Sequence, residues 1–376
     1  MACLLAALAC MGASFCYGTN DLNVLLSNRS CPRRNLSGVN LERKDLGGKN
    51  LQNAIFEAAK LIGANFARSI LVNASLRQTD SLGANFRESE SPEAHFDYSN
   101  LQMAIFQNAN LTGATFYWAT LYGALFPGAN LTNTNFKMAD LLETDLSETV
   151  LNGTSFEGAN LREANICGAN PSTFIPRTTE LKEINMRQAN LFMACLKDSW
   201  LPYINLAWAN LQLSDLTNGC FNEANFFQSN LKGATLINAS LQEANMERAN
   251  LEKSCLYKTN LYKSNLMGAI LIQANLAQSD LRQANFTWAT LRNADISRAN
   301  MRQAKLGGAD LRGVYAERTD FSWARFSSDT LVSGAVLKNI ILTQDIYFYD
   351  TNTLRMTTKS PEEFIQWLKD NGAILK

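Results

Sequence analysis

The sequence predicts an all-β solenoid, wound in four-sided coils of about 20 residues. Three observations carry this. The first is a period of five. From Leu36 to Ile341 every fifth residue belongs to one series of 62 positions, and 57 of them are Leu, Phe, Met, Ile or Val. The exceptions are Ser81, Ser91, Pro171, Pro176 and Ala316. The second is a companion series two residues earlier, from Arg34 to Asn339, which is Ala, Ser, Thr or Gly in 52 of 62 cases. Asn or Asp most often stands between the two, as in Gly63-Ala64-Asn65-Phe66 and Glu243-Ala244-Asn245-Met246. The third is the placement of phenylalanine. Sorted by residue number modulo 20, the large positions put Phe56, Phe96, Phe116, Phe136 and Phe156 in one column. The opposite column holds Phe66, Phe86, Phe106, Phe126, Phe226, Phe286 and Phe326, and the two remaining columns hold only Phe221 and Phe321.

A period of five fits neither ordinary element. On a helix five residues advance about 500°, so an apolar stripe would wander around the axis. On a straight strand five residues reverse the face at each step. A three-residue strand segment does put the small and large positions on one face, and a two-residue turn then aims the next large residue at the same axis. Four such sides close a coil, and like rings stacking down one side explain the two phenylalanine columns.

Taken in order, residues 1–18 are read as a signal peptide or apolar N-terminal segment. Residues 2–16 are apolar and uncharged, too short to span a bilayer, and Cys16-Tyr17-Gly18 places small residues at −3 and −1 of a cleavage site. Residues 19–35 form an N-terminal cap, with Asp21–Leu26 lying as a helical turn over the first coil. Residues 36–341 are the solenoid. Its weakest stretch is 171–180, where two large positions are proline and Phe174 replaces a small residue. It is read as a distorted half-coil or bulging loop. Residues 342–376 form a C-terminal cap, with a helix at 361–370. Ser360 is its N-cap, Pro361 its first residue and Glu363 its N3 glutamate, while Phe364, Trp367 and Leu368 share a face and Gly372 ends it. Such ends are needed because an open solenoid exposes unpaired strand edges.

The repeat resembles the pentapeptide-repeat family, written A-[ND]-L-x-x, over residues 36–341. The resemblance implies a right-handed quadrilateral parallel β-helix. With 62 pentapeptides it would hold about 15 coils and be about 75 Å long. Exported members of the family often carry a signal, a Leu-rich turn and a Cys-Pro pair, which Leu25-Leu26-Ser27-Asn28-Arg29-Ser30-Cys31-Pro32 resembles. Arg34 stands where that resemblance implies a second cysteine. The expected address is therefore the periplasm, thylakoid lumen or extracellular space, with the cytoplasm as alternative.

Composition narrows the function. Lys+Arg 34 against Asp+Glu 34 leaves a formal net charge of zero, which opposes a polyanion mimic or a polycation for nucleic acid. One histidine leaves little acid–base capacity near neutral pH and excludes the usual zinc sets. That residue, His95, sits in an Asn/Asp slot and is read as structural. No cofactor is expected. Cys3, Cys10 and Cys16 would leave with a signal peptide. Cys195, Cys220 and Cys255 occupy Asn-type slots and Cys167 follows a large position. No two are 20 residues apart, so all are read as reduced packing residues.

Residues spaced by 20 stack one above another, and three groups emerge as candidate interaction surfaces. Glu143, Glu163, Glu183, Glu223 and Glu243 share one column. Arg282 and Arg302, Arg292 and Arg312, and Arg298, Arg318 and Lys338 form three basic columns. Tyr117, Trp118 and Tyr122 cluster at a corner, with Trp208 and Trp288 further along. The resulting expectation is a rigid, non-enzymatic scaffold presenting a surface to a protein partner, monomeric or weakly dimeric through an end cap, without a transmembrane span. Two alternatives stand beside it. Some family members resemble duplex DNA and protect a type II topoisomerase, an activity the zero net charge disfavours. The arginine columns could instead hold an anionic partner.

The pattern makes a direct prediction. Leu211→Lys should unfold the rod, whereas Gln212→Lys, one residue on, should leave its circular dichroism and melting nearly unchanged. Equal tolerance of both would refute the five-residue pattern.

Overall fold

Each coil is held by its neighbours because three of the five backbone amides in a repeat, such as those of Leu41, Arg43 and Asn65, donate to carbonyls one coil away. The computed structural model describes Leu25, residues 32–169 and residues 184–376. Residues 1–18, most of the 19–35 cap and the 171–180 break lie outside the described residues. Leu25 is fully buried and belongs to the core cluster.

Four of the five amides in a repeat donate to backbone carbonyls. In the repeat at Leu41, the large residue's N–H donates to Lys60 O at 2.8 Å, and the corner residue Arg43 donates to Ile62 O at 2.9 Å. Lys44, in the small slot, closes the turn onto Leu41 O at 3.0 Å, and Asn65 N donates back to Lys44 O at 2.9 Å. The fifth amide, on the first turn residue, has no carbonyl to meet. It donates instead to the preceding Asn or Asp side chain, as Glu42 N does to Asn40 Oδ1 at 3.0 Å. The Asn side chains then chain together between coils. Asn85 Nδ2 donates to Asn65 Oδ1 at 3.1 Å, and Asn65 Nδ2 to Asp45 Oδ1 at 2.8 Å. This is why the slot between the small and large residues prefers Asn and Asp.

The second turn residue adopts the left-handed region at φ near +55° to +60° throughout the rod, for example Gln273 at 57°. A branched Cβ fits badly there. Correspondingly, among the described residues none of the non-glycine residues with positive φ is Val, Ile or Thr. One residue earlier the branched side chains return, at Ile62, Val72, Ile237 and Ile272.

The interior is a single apolar cluster. Phe66, Phe86, Phe106 and Phe126 stack with centroids 4.7–4.9 Å apart. Phe96, Phe116, Phe136 and Phe156 form a parallel stack at 4.7–5.0 Å. The two stacks meet edge to face, as Phe86 and Phe96 do at 5.4 Å. These contacts add to simple burial.

Among the described residues up to Ile341 the coil-to-coil step is 20 residues except at two places, and both correct the sequence reading. Beyond Ile341 a further residue makes the step 22, Arg325 pairing with Tyr347. Ser155 pairs with Asn185, Asn160 with Asn190 and Asn165 with Cys195, a step of 30 residues. The side-chain ladder continues across it, with Asn190 Nδ2 donating to Asn160 Oδ1 at 3.3 Å. Ten extra residues are half a coil, so every column beyond this point moves to the opposite side. Phe226, Phe286 and Phe326 therefore lie in line with Phe156, not with Phe126.

The same step creates a disulfide, Cys167–Cys195, with a sequence separation of 28. Elsewhere the residue after a large position reaches diagonally to the Asn slot 18 residues on, as Asn222 does in accepting from Ser240 Oγ at 2.7 Å. Across the longer step that diagonal becomes 28, so a search at a spacing of 20 could not find it. The reading of all cysteines as reduced fails at this pair. Cys220 and Cys255 are free.

The second departure is a single residue after Phe326. Asp310 pairs with Leu331 and Asp320 with Ile341. The buried large positions become Val332 and Leu337, while Leu331 and Ile341 are exposed. Among the described residues the inward series thus holds to Phe326, not to Ile341. Three-residue strands thicken the last coils, β1 (Tyr315–Glu317), β2 (Arg325–Ser327) and β3 (Val336–Lys338). Parallel pairing joins β1 to β3 and β2 to β4 (Ile346–Asp350), and β4 turns back antiparallel onto β5 (Arg355–Lys359).

A helix, Pro361–Asp370, follows, and β6 (Ile374–Leu375) pairs with β3. Ser360 and Glu363 form a reciprocal capping box. Phe364 and Leu368 are buried, with Phe364 against Phe326 at 4.7 Å and Trp367 against Phe348 at 5.2 Å. The C-cap is Asn371, and Gly372 beyond it has φ 82°.

Gln273 is an exposed corner residue, which allows the turn to be tested. Gln273→Val should destabilise the rod by about 1–2 kcal/mol. Gln273→Gly should shift it by less than about 1 kcal/mol, because relief of the left-handed cost and glycine's added entropy oppose each other. Denaturant titration separates the two, and equal effects would remove the steric account.

Candidate functional site

The half-coil offset rearranges the surface as well as the core. One face carries the column Ser75, His95, Thr115, Asn135, Ser155, Asn185 and Asn205, each paired with the next, and it continues to Asn285. Three residues after each member comes a left-handed corner. Tyr98, Trp118 and Met138 stand there before the offset, and Trp208 and Trp288 after it. All five are exposed, Trp288 at 64% and Trp118 at 46%. Residue numbers put Trp118 on the corner opposite Trp208 and Trp288, but the step of 30 brings all three to one edge. Four coil steps separate each tryptophan from the next, about 19 Å at strand spacing.

Neighbouring side chains hold this edge. Tyr117 packs edge-on to Tyr98 at 5.7 Å and to Trp118 at 6.4 Å. The Arg187 guanidinium lies 4.6 Å over the Trp208 ring, and Trp208 Nε1 donates to Gln228 Oε1 at 2.7 Å. Trp288 lies on Gly308, where a Cβ would come within 2.2 Å of the ring. Tyr122 is at another corner turn and donates to Glu143 Oε2 at 3.2 Å. The Glu143 charge raises the phenol's pKa above its ordinary value.

The glutamates do not form one column. Glu143 stacks below Glu163, whose amide donates to Phe192 O, so the next corner above is Met193. Glu223 and Glu243 stack with Tyr203 on the opposite corner. Glu183 lies outside the described residues. Glu163 pairs with Arg162 at 2.9 Å and Glu243 with Lys263 at 3.1 Å.

The basic columns are largely neutralised. Arg282 pairs with Asp280 at 2.6 Å, and Arg302 with Asp320 at 3.3 Å. Arg292 and Arg312 both clamp Asp310, at 2.5 and 2.8 Å. Burial alone would push the Asp310 carboxyl up, but hydrogen bonds from Arg312 and Arg292 outweigh it and lower it to about 2. Arg298 and Arg318 stack at a corner, but Lys338 leaves their column. The extra residue after Phe326 pairs it with Glu317, at 3.3 Å between side chains. The sequence reading missed Tyr98 and the pair Lys305 and Arg325. The latter could have been found as two cations in consecutive Asn slots of one column.

A family model described as pentapeptide repeats matches eight times, at residues 35–71, 92–128, 112–147, 129–168, 229–268, 260–298, 269–308 and 294–328. Together these span more than half of the chain. Among solved structures, the chain is similar to HetL of the cyanobacterium Nostoc, a pentapeptide repeat protein involved in heterocyst differentiation regulation. Identity is 25%, covering 75% of this chain and 91% of that one, with a TM-score of 0.29. It is also similar to a pentapeptide repeat protein from the Arabidopsis thaliana thylakoid lumen. Identity there is 28% over 29% of this chain and 70% of that one, with a TM-score of 0.17. A third is full-length QnrB1, a plasmid-mediated fluoroquinolone resistance protein. It is 16% identical over 65% of this chain and 95% of that one, with a TM-score of 0.21. No curated protein sequence matches the chain.

The Asp310 clamp predicts an acid response. Its carboxyl is lowered from 3.8 to about 2, so its contribution is complete above the unfolded value and is lost as pH falls through the folded one. Asp310→Asn should lower the melting temperature at pH 7, and the gap to wild type should close between about pH 4 and pH 2. An unchanged gap below pH 2 would refute the clamp.

Proposed function

The chain belongs to the pentapeptide-repeat family, and we propose that it is a non-enzymatic rod that docks a protein partner along its tryptophan edge. The observation that carries the reading is the alignment of exposed Trp118, Trp208 and Trp288 on one edge. Exposed aromatics in a line are costly in a protein with no partner, and tryptophan is the side chain most enriched among interface anchors. The right-handed hand of the coil, its closure by the terminal helix, and a single solenoid domain between two caps belong to the same proposal.

We place the protein in an exported, oxidising compartment. The apolar segment at 2–16 supports this, as does Cys167–Cys195, because structural disulfides persist outside reducing cytosol. Among the described residues no helix is long and apolar enough to cross a membrane. A DNA-like acidic stripe is not part of the proposal. Its glutamates divide between two corners, and phosphate-mimicking binding needs continuous negative charge.

The test is affinity capture from the native compartment with wild type and with a Trp118→Ala/Trp208→Ala/Trp288→Ala variant. All three side chains project outward, so melting should be preserved while the captured protein is lost. Capture by the variant at the wild-type level would overturn the proposal.

A further inference from the structure

The face beside the tryptophan edge changes character near the C-terminal end. From Asn205 to Asn285 its central column is an unbroken amide ladder, each Nδ2 donating to the Oδ1 one coil earlier at 3.1–3.4 Å. The next two members are Lys305 and Arg325, paired across adjacent coils, followed by Tyr347. Both cations are exposed. Neither is ion-paired among the described residues, in contrast to the clamped Arg282, Arg292, Arg302 and Arg312. Two like charges held one strand spacing apart, about 5 Å, destabilise the pair of coils that carries them. Asn in both slots would extend the ladder. Stability alone does not select these residues.

They line an open groove of about 500 Å³ whose other walls are Lys263, Gln283, Gln303, Trp323 and Tyr347. Among the described residues no carboxylate lines it. Lys263 is neutralised by Glu243, which leaves the charge concentrated at Lys305 and Arg325. Gln283 Nε2 donates to Gln303 Oε1 at 2.8 Å, a stacked pair of exposed amides on the groove wall. Trp323 is held by the Arg302 guanidinium, 4.6 Å over its ring, and Arg325 lies 5.6 Å over Tyr347. The groove therefore offers two adjacent cations, an amide wall and two aromatic rings at its C-terminal end. It runs along the rod for three coil steps, about 14 Å, the length of about four extended residues.

We propose that this groove binds an extended acidic peptide segment of the protein partner. The proposal rests on the reading of the rod as a protein-docking surface and names the chemistry of what docks. Alternate side chains of an extended segment share one face about 7 Å apart, within reach of two flexible cations on neighbouring coils. Carboxylates there would convert the repulsion between Lys305 and Arg325 into two charge-assisted pairs. The amides of Gln283 and Gln303 would meet the segment's backbone. A nucleic acid fits less well. Two uncompensated cations neutralise few phosphates, and the chain as a whole carries no net positive charge.

The test is calorimetric titration of the full chain with the acetylated, amidated pentapeptide Glu-Gly-Glu-Gly-Glu, with its all-Gln analogue and with pentathymidylate. Wild type is compared with Lys305→Asn/Arg325→Asn, which restores the ordinary ladder residues. The acidic peptide should bind wild type and bind the variant roughly tenfold more weakly, with the Gln analogue inert. The variant should melt at or above the wild-type temperature. The proposal is overturned if the acidic peptide does not bind wild type, if the variant binds it equally, or if pentathymidylate binds as tightly. A variant melting below wild type also overturns it, because the cations would then be structural. Loss of the captured protein from the tryptophan variant with full peptide affinity supports two separate contacts. A partner captured equally by Lys305→Asn/Arg325→Asn removes the groove and leaves the edge.

Discussion

One amide in every five has no backbone carbonyl within reach, and the structure depends on how that amide is satisfied. In the repeat at Asn65 the Oδ1 accepts from Ala67 N at 3.1 Å while Nδ2 donates one coil back. A short side chain with an acceptor is needed in that slot of each coil, and an amide also links it to the next. Leu or Phe must follow to fill the axis, and a small residue must precede to let the turn close. The five-residue motif is thus the sequence image of a hydrogen-bond balance. Where a sequon-like triplet such as Asn110-Leu111-Thr112 occurs, its threonine hydroxyl donates to the same Asn110 Oδ1 at 2.8 Å. The triplet is a consequence of the turn.

That same balance explains what was legible in the sequence and what was not. Among the described residues the inward positions could be named from Leu36 to Ile166 and from Met186 to Phe326, because each side of a coil repeats one local rule. Which residues stack could not, because stacking depends on the number of residues between neighbouring coils. A departure of ten leaves the five-residue phase intact while moving every later column by two sides. Phe226 and Glu223 were therefore misplaced together, and the Cys167–Cys195 diagonal was hidden. The one-residue departure after Phe326 was masked for a different reason. Leu331-Val332 and Val336-Leu337 offer two apolar neighbours each, so either phase satisfies the pattern. Only the parallel pairing of Val336 with Tyr315 and Leu337 with Ala316 decides between them.

Charge columns mislead for a related geometric reason. A long side chain in the first turn position reaches its own Asn/Asp slot two residues back, as Arg312 reaches Asp310. It also reaches the slot 18 residues ahead, as Arg292 reaches the same Asp310 and Arg302 reaches Asp320. Like charges at a spacing of 20 are accordingly separated by acids that a column sort does not see. Functional charge is better sought where the compensating slot itself has changed. Lys305 and Arg325 occupy the position that elsewhere supplies the acceptor, so their charge cannot be cancelled by the diagonal that neutralises the arginines.

The tryptophan edge and the cationic groove are geometrically joined. Trp288 stands at the corner bounding one side of the face that carries Lys305, and Gln303 and Trp323 stand at the corner bounding the other. Both features lie in turns and ladders whose backbone is fixed by coil-to-coil hydrogen bonds, so their separation is set before any partner arrives. A surface held this way loses little conformational entropy on association, which favours a few well-placed anchors over a large interface. The anchors it offers are rings at four-coil intervals and two cations one coil apart. A partner of the kind proposed that matched one spacing would be oriented along the rod axis and brought toward the other.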